Sequence, residues 1–148
     1  MACSIYTNVG CLKVEIFCDL VPKAALSFLK LVGSGSYDNT KFHRNIAGFA
    51  IQCGKKVERI DNDVTEINSE LTFNKKGVVA FASSTEFFIT YAPQEHLNGT
   101  YTIIGQVVDG FLFLNALERE DVGKKNKPLR DLIIKTIVIN ANPLADID

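Results

Sequence analysis

The 148-residue chain contains no tryptophan, a single methionine and only two histidines, His43 and His96. Two imidazoles far apart, with no cysteine or carboxylate at ligand spacing, give no basis for a zinc site. The four cysteines, Cys3, Cys11, Cys18 and Cys53, include no CxxC pair. Free buried thiols in a reducing compartment are expected, and a disulfide framework is not. An excess of either charge is missing as well: 16 basic residues face 17 acidic ones, a formal net charge of −1. Nothing in that balance draws the chain to nucleic acid or to an anionic membrane. No stretch reaches the roughly 20 apolar residues that span a bilayer. The opening Met1-Ala2-Cys3-Ser4-Ile5-Tyr6 lacks the basic-then-apolar order of a signal peptide. A cytoplasmic or nuclear location is therefore expected, with no membrane partner. Repeats, linkers and low-complexity tracts are absent too, so residues 1–148 are expected to form one domain.

What the chain does have is strand pattern. Leu12, Val14, Ile16 and Cys18 alternate with Lys13 and Glu15, which predicts a half-buried strand. Cys3 to Asn8 precedes it across a Val9-Gly10 turn, and the two read as an antiparallel hairpin with one wet face. Pro22 suits the first turn of a helix. Ala25, Phe28, Leu29 and Val32 then form one apolar stripe, ended by Gly33 and Gly35. Residues 54–68 are charged and patternless and read as a loop. Val78 to Ala82, Phe87 to Thr90 and Tyr101 to Val108 read as strands, the last after an Asn98-Gly99 turn. Asp109 is expected to cap a second helix whose inner face is Phe113, Ala116 and Leu117. Gly123 to Pro128 is a basic loop, and Leu132 to Ile139 reads as a strand buried on both faces. Many strands and two widely separated helices favour an antiparallel sheet closed, or nearly closed, on itself.

Three segments carry the chemistry. The first is Phe42-His43-Arg44-Asn45-Ile46-Ala47-Gly48-Phe49-Ala50-Ile51-Gln52, in which one guanidinium and one amide sit among apolar side chains. By itself it reads sooner as a short hairpin carrying a solvated arginine. The second runs from Gly77 through Val78-Val79-Ala80-Phe81-Ala82-Ser83 to Glu86-Phe87-Phe88-Ile89-Thr90, and the third is His96-Leu97-Asn98-Gly99-Thr100-Tyr101-Thr102-Ile103-Ile104-Gly105. In this order and spacing they resemble the active-site segments of cyclophilins, the peptidyl-prolyl cis/trans isomerases. The likeness runs nearly end to end, taking in Pro22 to Leu29, Gly105-Gln106-Val107-Val108-Asp109-Gly110 and Ile137 to Leu144. The ending Asn140-Ala141-Asn142-Pro143-Leu144, with His96-Leu97 and Tyr101-Thr102, looks most like the short nuclear cyclophilin-like proteins found with spliceosomes.

The resemblance implies a mainly β fold: an eight-stranded antiparallel barrel with a helix over each open end. It implies action on proline-containing peptides or proteins, with no cofactor. Arg44 takes the place of the family's catalytic arginine, and Gln52 that of the glutamine that holds the arginine and the peptide. Phe49 and Phe88 match aromatics of the proline pocket, Leu97 its aliphatic wall, and Tyr101 a position shared by histidine and tyrosine. Ala82 and Ser83 supply the main chain beside the peptide. Ala50, Ser83 and Glu86 depart from the usual methionine, asparagine and glutamine. His96 stands where cyclosporin-sensitive members carry tryptophan, so weak or no cyclosporin binding is expected. Two glycine-rich loops that rim the family's groove are shortened, after Gly54 and between Ser84 and Thr85. These departures leave two expectations side by side. One is a monomeric isomerase of lowered activity; the other is a non-catalytic proline-binding or scaffolding module in a ribonucleoprotein, with spliceosomal proteins as partners. Glu86 is expected beside Arg44, where an ionised carboxylate would pair with the guanidinium.

No nucleophile, metal or acid–base pair is needed for such a reaction. Turning an X–Pro bond breaks amide conjugation against a barrier of about 20 kcal/mol. The twisted imide nitrogen pyramidalises and becomes an acceptor, which a fixed guanidinium satisfies in the transition state and hardly at all in the planar ground state. Arginine suits this because it stays charged and presents rigid, forked donors.

Overall fold

Strand β1 (Ala2–Thr7) pairs antiparallel with β2 (Cys11–Ile16), and the turn between them is closed by Thr7, whose hydroxyl accepts from the Gly10 amide at 2.9 Å. The computed structural model describes residues 1–54, 65–83 and 85–140. Most of the expected 54–68 loop, Ser84 and the closing residues 141–148 therefore lie outside the described residues. Leu12, Val14 and Ile16 are buried as their alternation predicts.

Six further strands follow: β3 (Thr40–Ile46), β4 (Ala50–Cys53), β5 (Val78–Phe81), β6 (Phe87–Thr90), β7 (Ile103–Asp109) and β8 (Ile133–Asn140). They close into one barrel in the order β1-β2-β7-β5-β6-β4-β3-β8, with every neighbour pair antiparallel. The eight-stranded barrel expected from the resemblance is the observed fold. Gly105 marks the tightest strand contact. A Cβ there would stand 2.2 Å from the Glu15 carbonyl oxygen, so β2 and β7 approach as they do only because position 105 has no side chain.

Helix α1 (Pro22–Gly33) covers one end of the barrel. Its Phe28 meets Phe87 edge-on at 5.5 Å, and Tyr37 meets the same ring at 5.1 Å. No side chain caps the helix locally; the Ala24 amide donates instead to Glu66 Oε1, at 2.9 Å, from a segment 42 residues away. Helix α2 (Phe111–Glu118) closes the opposite end, beside the start of β2 and the last residues of β3.

Three local expectations are corrected. Asp109 is the last residue of β7, not the cap of α2; Gly110, at φ 97°, fills the cap position with no side-chain bond to the helix. The inner face of α2 is Leu114 and Leu117 with Phe113 packed partly buried against the core as expected, and it is Ala116 that faces solvent. Strand β8 is buried on one face rather than two. Its register against β1 slips between Tyr6 and Thr7, so Ile134 and Ile137 both point inward across a bulge while Val138 is exposed. The bulge falls at Lys135-Thr136, between the two apolar runs, and alternation counted straight through these residues puts Ile134 and Ile137 on opposite faces.

Candidate functional site

A second apolar cluster lies outside the barrel. Ile51, Ile89 and Val79 fill the interior from β4, β6 and β5, so their neighbours along each strand face outward. Ala50, Phe88 and Ala80 are those neighbours, and each is nonetheless buried. Phe73, Leu97 and Ile103 cover them. Phe73 stacks on Phe88 with ring centroids 6.0 Å apart at 7°, while Tyr101 meets Phe88 edge-on at 5.6 Å. Phe73 is fixed through its amide, which donates to Asn98 Oδ1 at 2.7 Å.

This cover is incomplete at one edge. There a cleft of about 70 Å³ opens, lined by Arg44, Ile46, Phe49, Ala50, Gln52, Ala82, Phe88, Leu97 and Tyr101. A slip in register between Phe42 and Arg44 turns Arg44 toward it. Phe42 and Asn45 both point into the barrel, three residues apart, and Arg44 points out directly opposite Gln52. Gln52 is in turn opposite Phe88, so Arg44, Gln52 and Phe88 form one row across three strands. Neither polar side chain makes a hydrogen bond or ion pair among the described residues. Gln52 therefore stands beside the guanidinium without holding it, and the donors of Arg44 are free.

The hairpin carrying this row is tied down from behind. Asn45, buried, donates to the Leu117 carbonyl at 2.8 Å and accepts from the Tyr91 hydroxyl at 2.6 Å. Gly48 at the turn donates to Glu118 Oε2 at 2.7 Å, and Gln94 Nε2 reaches the Gly48 carbonyl at 2.9 Å. The Phe49 carbonyl accepts from the Tyr91 amide at 2.9 Å. Burial pushes the Tyr91 hydroxyl far up from its ordinary range, with Glu118 and Cys53 adding to the effect, so it remains a donor to Asn45.

Glu86 does not pair with Arg44. Its Oε1 lies 2.9 Å from His43 Nε2, off the line of the ring N–H, so the contact is electrostatic rather than an aligned hydrogen bond. Its Oε2 accepts from the Ser83 hydroxyl at 3.2 Å, and its carbonyl accepts from the Ala82 and Ser83 amides at 2.8 and 3.2 Å. The bulge in β3 explains the change of partner: it places His43, not Arg44, next to Glu86. Gly54 lets Thr85 come close, since a Cβ there would sit 2.6 Å from the Thr85 carbonyl oxygen.

Of the residues expected to form the site, Arg44, Gln52, Phe49, Ala50, Ala82, Phe88, Leu97 and Tyr101 line the one cleft. Ser83 and Glu86 lie behind its Ala82 rim, and His96 is exposed, its ring 6.3 Å from that of Phe49. Ile46 and Phe73 were not expected in the site. Ile46 follows from the outward phase that the bulge confers on β3. Phe73 sits in a segment without periodicity, where only tertiary packing reveals its purpose.

The chain matches the family model described as cyclophilin type peptidyl-prolyl cis-trans isomerase over residues 2–139. It is 43% identical over 159 residues to "Peptidyl-prolyl cis-trans isomerase CYP18-1" of Arabidopsis thaliana, a match covering 98% of this chain and 99% of that protein. It is 39% identical over 160 residues to human "Peptidyl-prolyl cis-trans isomerase-like 3", with 98% and 99% covered. A crystal structure of a Cryptosporidium parvum cyclophilin-type isomerase, obtained in the presence of the dipeptide Ala-Pro, superposes with a TM-score of 0.89. Its identity is 40%, covering 96% of this chain and 100% of that one.

Proposed function

Because this chain belongs to the family of cyclophilin-type peptidyl-prolyl cis-trans isomerases, we propose that it isomerises X–Pro bonds in peptides and proteins through Arg44 and the cleft beside it. The observation that carries this reading is an exposed guanidinium, free of any partner among the described residues, in one row with Gln52 and Phe88 at the mouth of an apolar cup. The cup of Phe49, Ala50, Phe88 and Leu97 takes the pyrrolidine ring and excludes water. Arg44 then donates to the imide nitrogen as it pyramidalises, an interaction absent from the planar ground state. Gln52, opposite Arg44, is free to bond the peptide carbonyl as the bond turns. The Ala82–Ser83 main chain, whose two amides donate to the Glu86 carbonyl, borders the peptide on the other side.

The test is NMR exchange on an Ala-Pro tetrapeptide with the full chain. Arg44→Ala and Arg44→Lys should each lower the catalysed exchange about 10²–10³-fold, the usual cost of one transition-state donor. Melting should be unchanged, because Arg44 is exposed and unpaired. Lysine keeps the charge but not the planar fork. Exchange at the wild-type rate in either variant removes Arg44 from the mechanism. Saturable peptide binding without exchange in the wild-type protein favours the binding-module reading instead.

A further inference from the structure

The charge of Glu86 has no use in turning a prolyl bond, and it is held with some care. Three observations fix where it acts. It stands two residues before Phe88, on the same outward face, about 7 Å along the strand direction. It is nearly buried, with one oxygen engaged by the Ser83 hydroxyl. The other oxygen faces His43, the bulged residue that immediately precedes Arg44 on β3. No arginine or lysine neutralises it among the described residues: Arg44 is unpaired, and Lys41, the nearest lysine on β3, bonds Asp131 at 3.2 Å. With a neutral imidazole as its neighbour, the carboxylate leaves one uncompensated negative charge behind the cleft's rim.

The proline ring seats at the level of Ala50, Phe88 and Leu97, and its nitrogen faces the Arg44–Gln52 row. The acyl group on that nitrogen belongs to the residue before proline, and the next outward position along β6 past the row, on the side away from Ala50, is that of Glu86. We propose, resting on the isomerase reading, that Glu86 makes this cleft selective for the charge of the residue preceding proline, favouring lysine or arginine and rejecting aspartate or glutamate. Charges near a surface at separations of this order interact appreciably in a medium less polarisable than bulk water, and the interaction is screened by salt. The hydrogen bond from Ser83 prevents the carboxylate from swinging away, so the field at the rim is fixed before the peptide arrives.

The experiment measures catalysed exchange in three peptides, Ala-Lys-Pro-Phe, Ala-Ala-Pro-Phe and Ala-Glu-Pro-Phe, with the full chain at pH 8 and low salt. At that pH an ordinary imidazole is neutral. The expected order is Lys, Ala, Glu, with a ratio of about ten between the extremes, falling toward one in 0.5 M NaCl. Glu86→Gln, which keeps the Ser83 contact, should bring the ratio toward one at low salt. Glu86→Asp, if folded, should retain a ratio above that of Glu86→Gln. A wild-type ratio near one while Ala-Ala-Pro-Phe is exchanged overturns the inference and leaves the isomerase reading standing. So does a ratio that survives Glu86→Gln. If no peptide is exchanged, the isomerase reading fails, and the ratio of dissociation constants from chemical-shift titration of the same peptides decides the charge selectivity. Equal constants, or no binding at all, overturn it.

Discussion

Asn45→Ala tests whether the site is positioned from behind. Asn45 is 2% exposed and bridges the Tyr91 hydroxyl to the last turn of α2. Truncation leaves the Tyr91 hydroxyl, on a residue 4% exposed, without its acceptor, which costs about 1–3 kcal/mol. The Leu117 carbonyl loses less, because the Glu120 amide also donates to it at 3.1 Å. That loss and the small void left by the amide add roughly 1 kcal/mol. The sum is about 2–4 kcal/mol, or a melting point lower by roughly 5–15 °C for a chain of this size. Tyr91→Phe removes the hydroxyl itself and should cost only about 1–2 kcal/mol. The double variant should be less destabilised than the two singles added, by about 1 kcal/mol, since both break the same bond. Urea unfolding of all four proteins gives these values, and Ala-Pro exchange in folded Asn45→Ala should fall because the neighbouring Arg44 loses its anchor. Full additivity, or a single variant within 0.5 kcal/mol of the parent by the same measure, would refute the reasoning.

Two further outcomes follow from the buried thiols and from the cleft. Burial pushes the Cys3 thiol up to about 11 from 9.0, partly opposed by the amino terminus, and Cys53 is raised well above its ordinary value by burial and Glu86. A raised folded value means stability that is complete below pH 9 and lost as pH climbs toward 11, about 2–3 kcal/mol for Cys3. Urea midpoints should decline over that window less steeply in Cys3→Ala than in the parent; parallel curves would show that Cys3 does not titrate in this way. Cyclosporin should bind weakly or not at all, because exposed His96 and small Ala50 offer it less apolar contact and no indole donor. Nanomolar affinity by calorimetry would show that the cleft is wider than its 70 Å³.

Much of this protein was legible in its residues. Alternation in Leu12-Lys13-Val14-Glu15-Ile16 dictates a strand with one buried face, and the Ala25-Phe28-Val32 spacing dictates a helix stripe, because period alone decides which side chains share a face. The order of the Phe42–Gln52, Gly77–Thr90 and His96–Gly105 segments pointed to the barrel and to Arg44, Phe49, Gln52, Phe88 and Leu97. Tertiary structure decided what one-residue changes of phase control. The bulge in β3 gives Glu86 to His43 and leaves Arg44 free, and the bulge in β8 turns Val138 outward. A bulge leaves no mark in composition, since it depends on which residue of the partner strand is opposite, and that register is fixed only when the barrel closes. Phe73 and Asn98 join the site for the same reason: their contact spans 25 residues of chain, and only the closed barrel brings its two ends together.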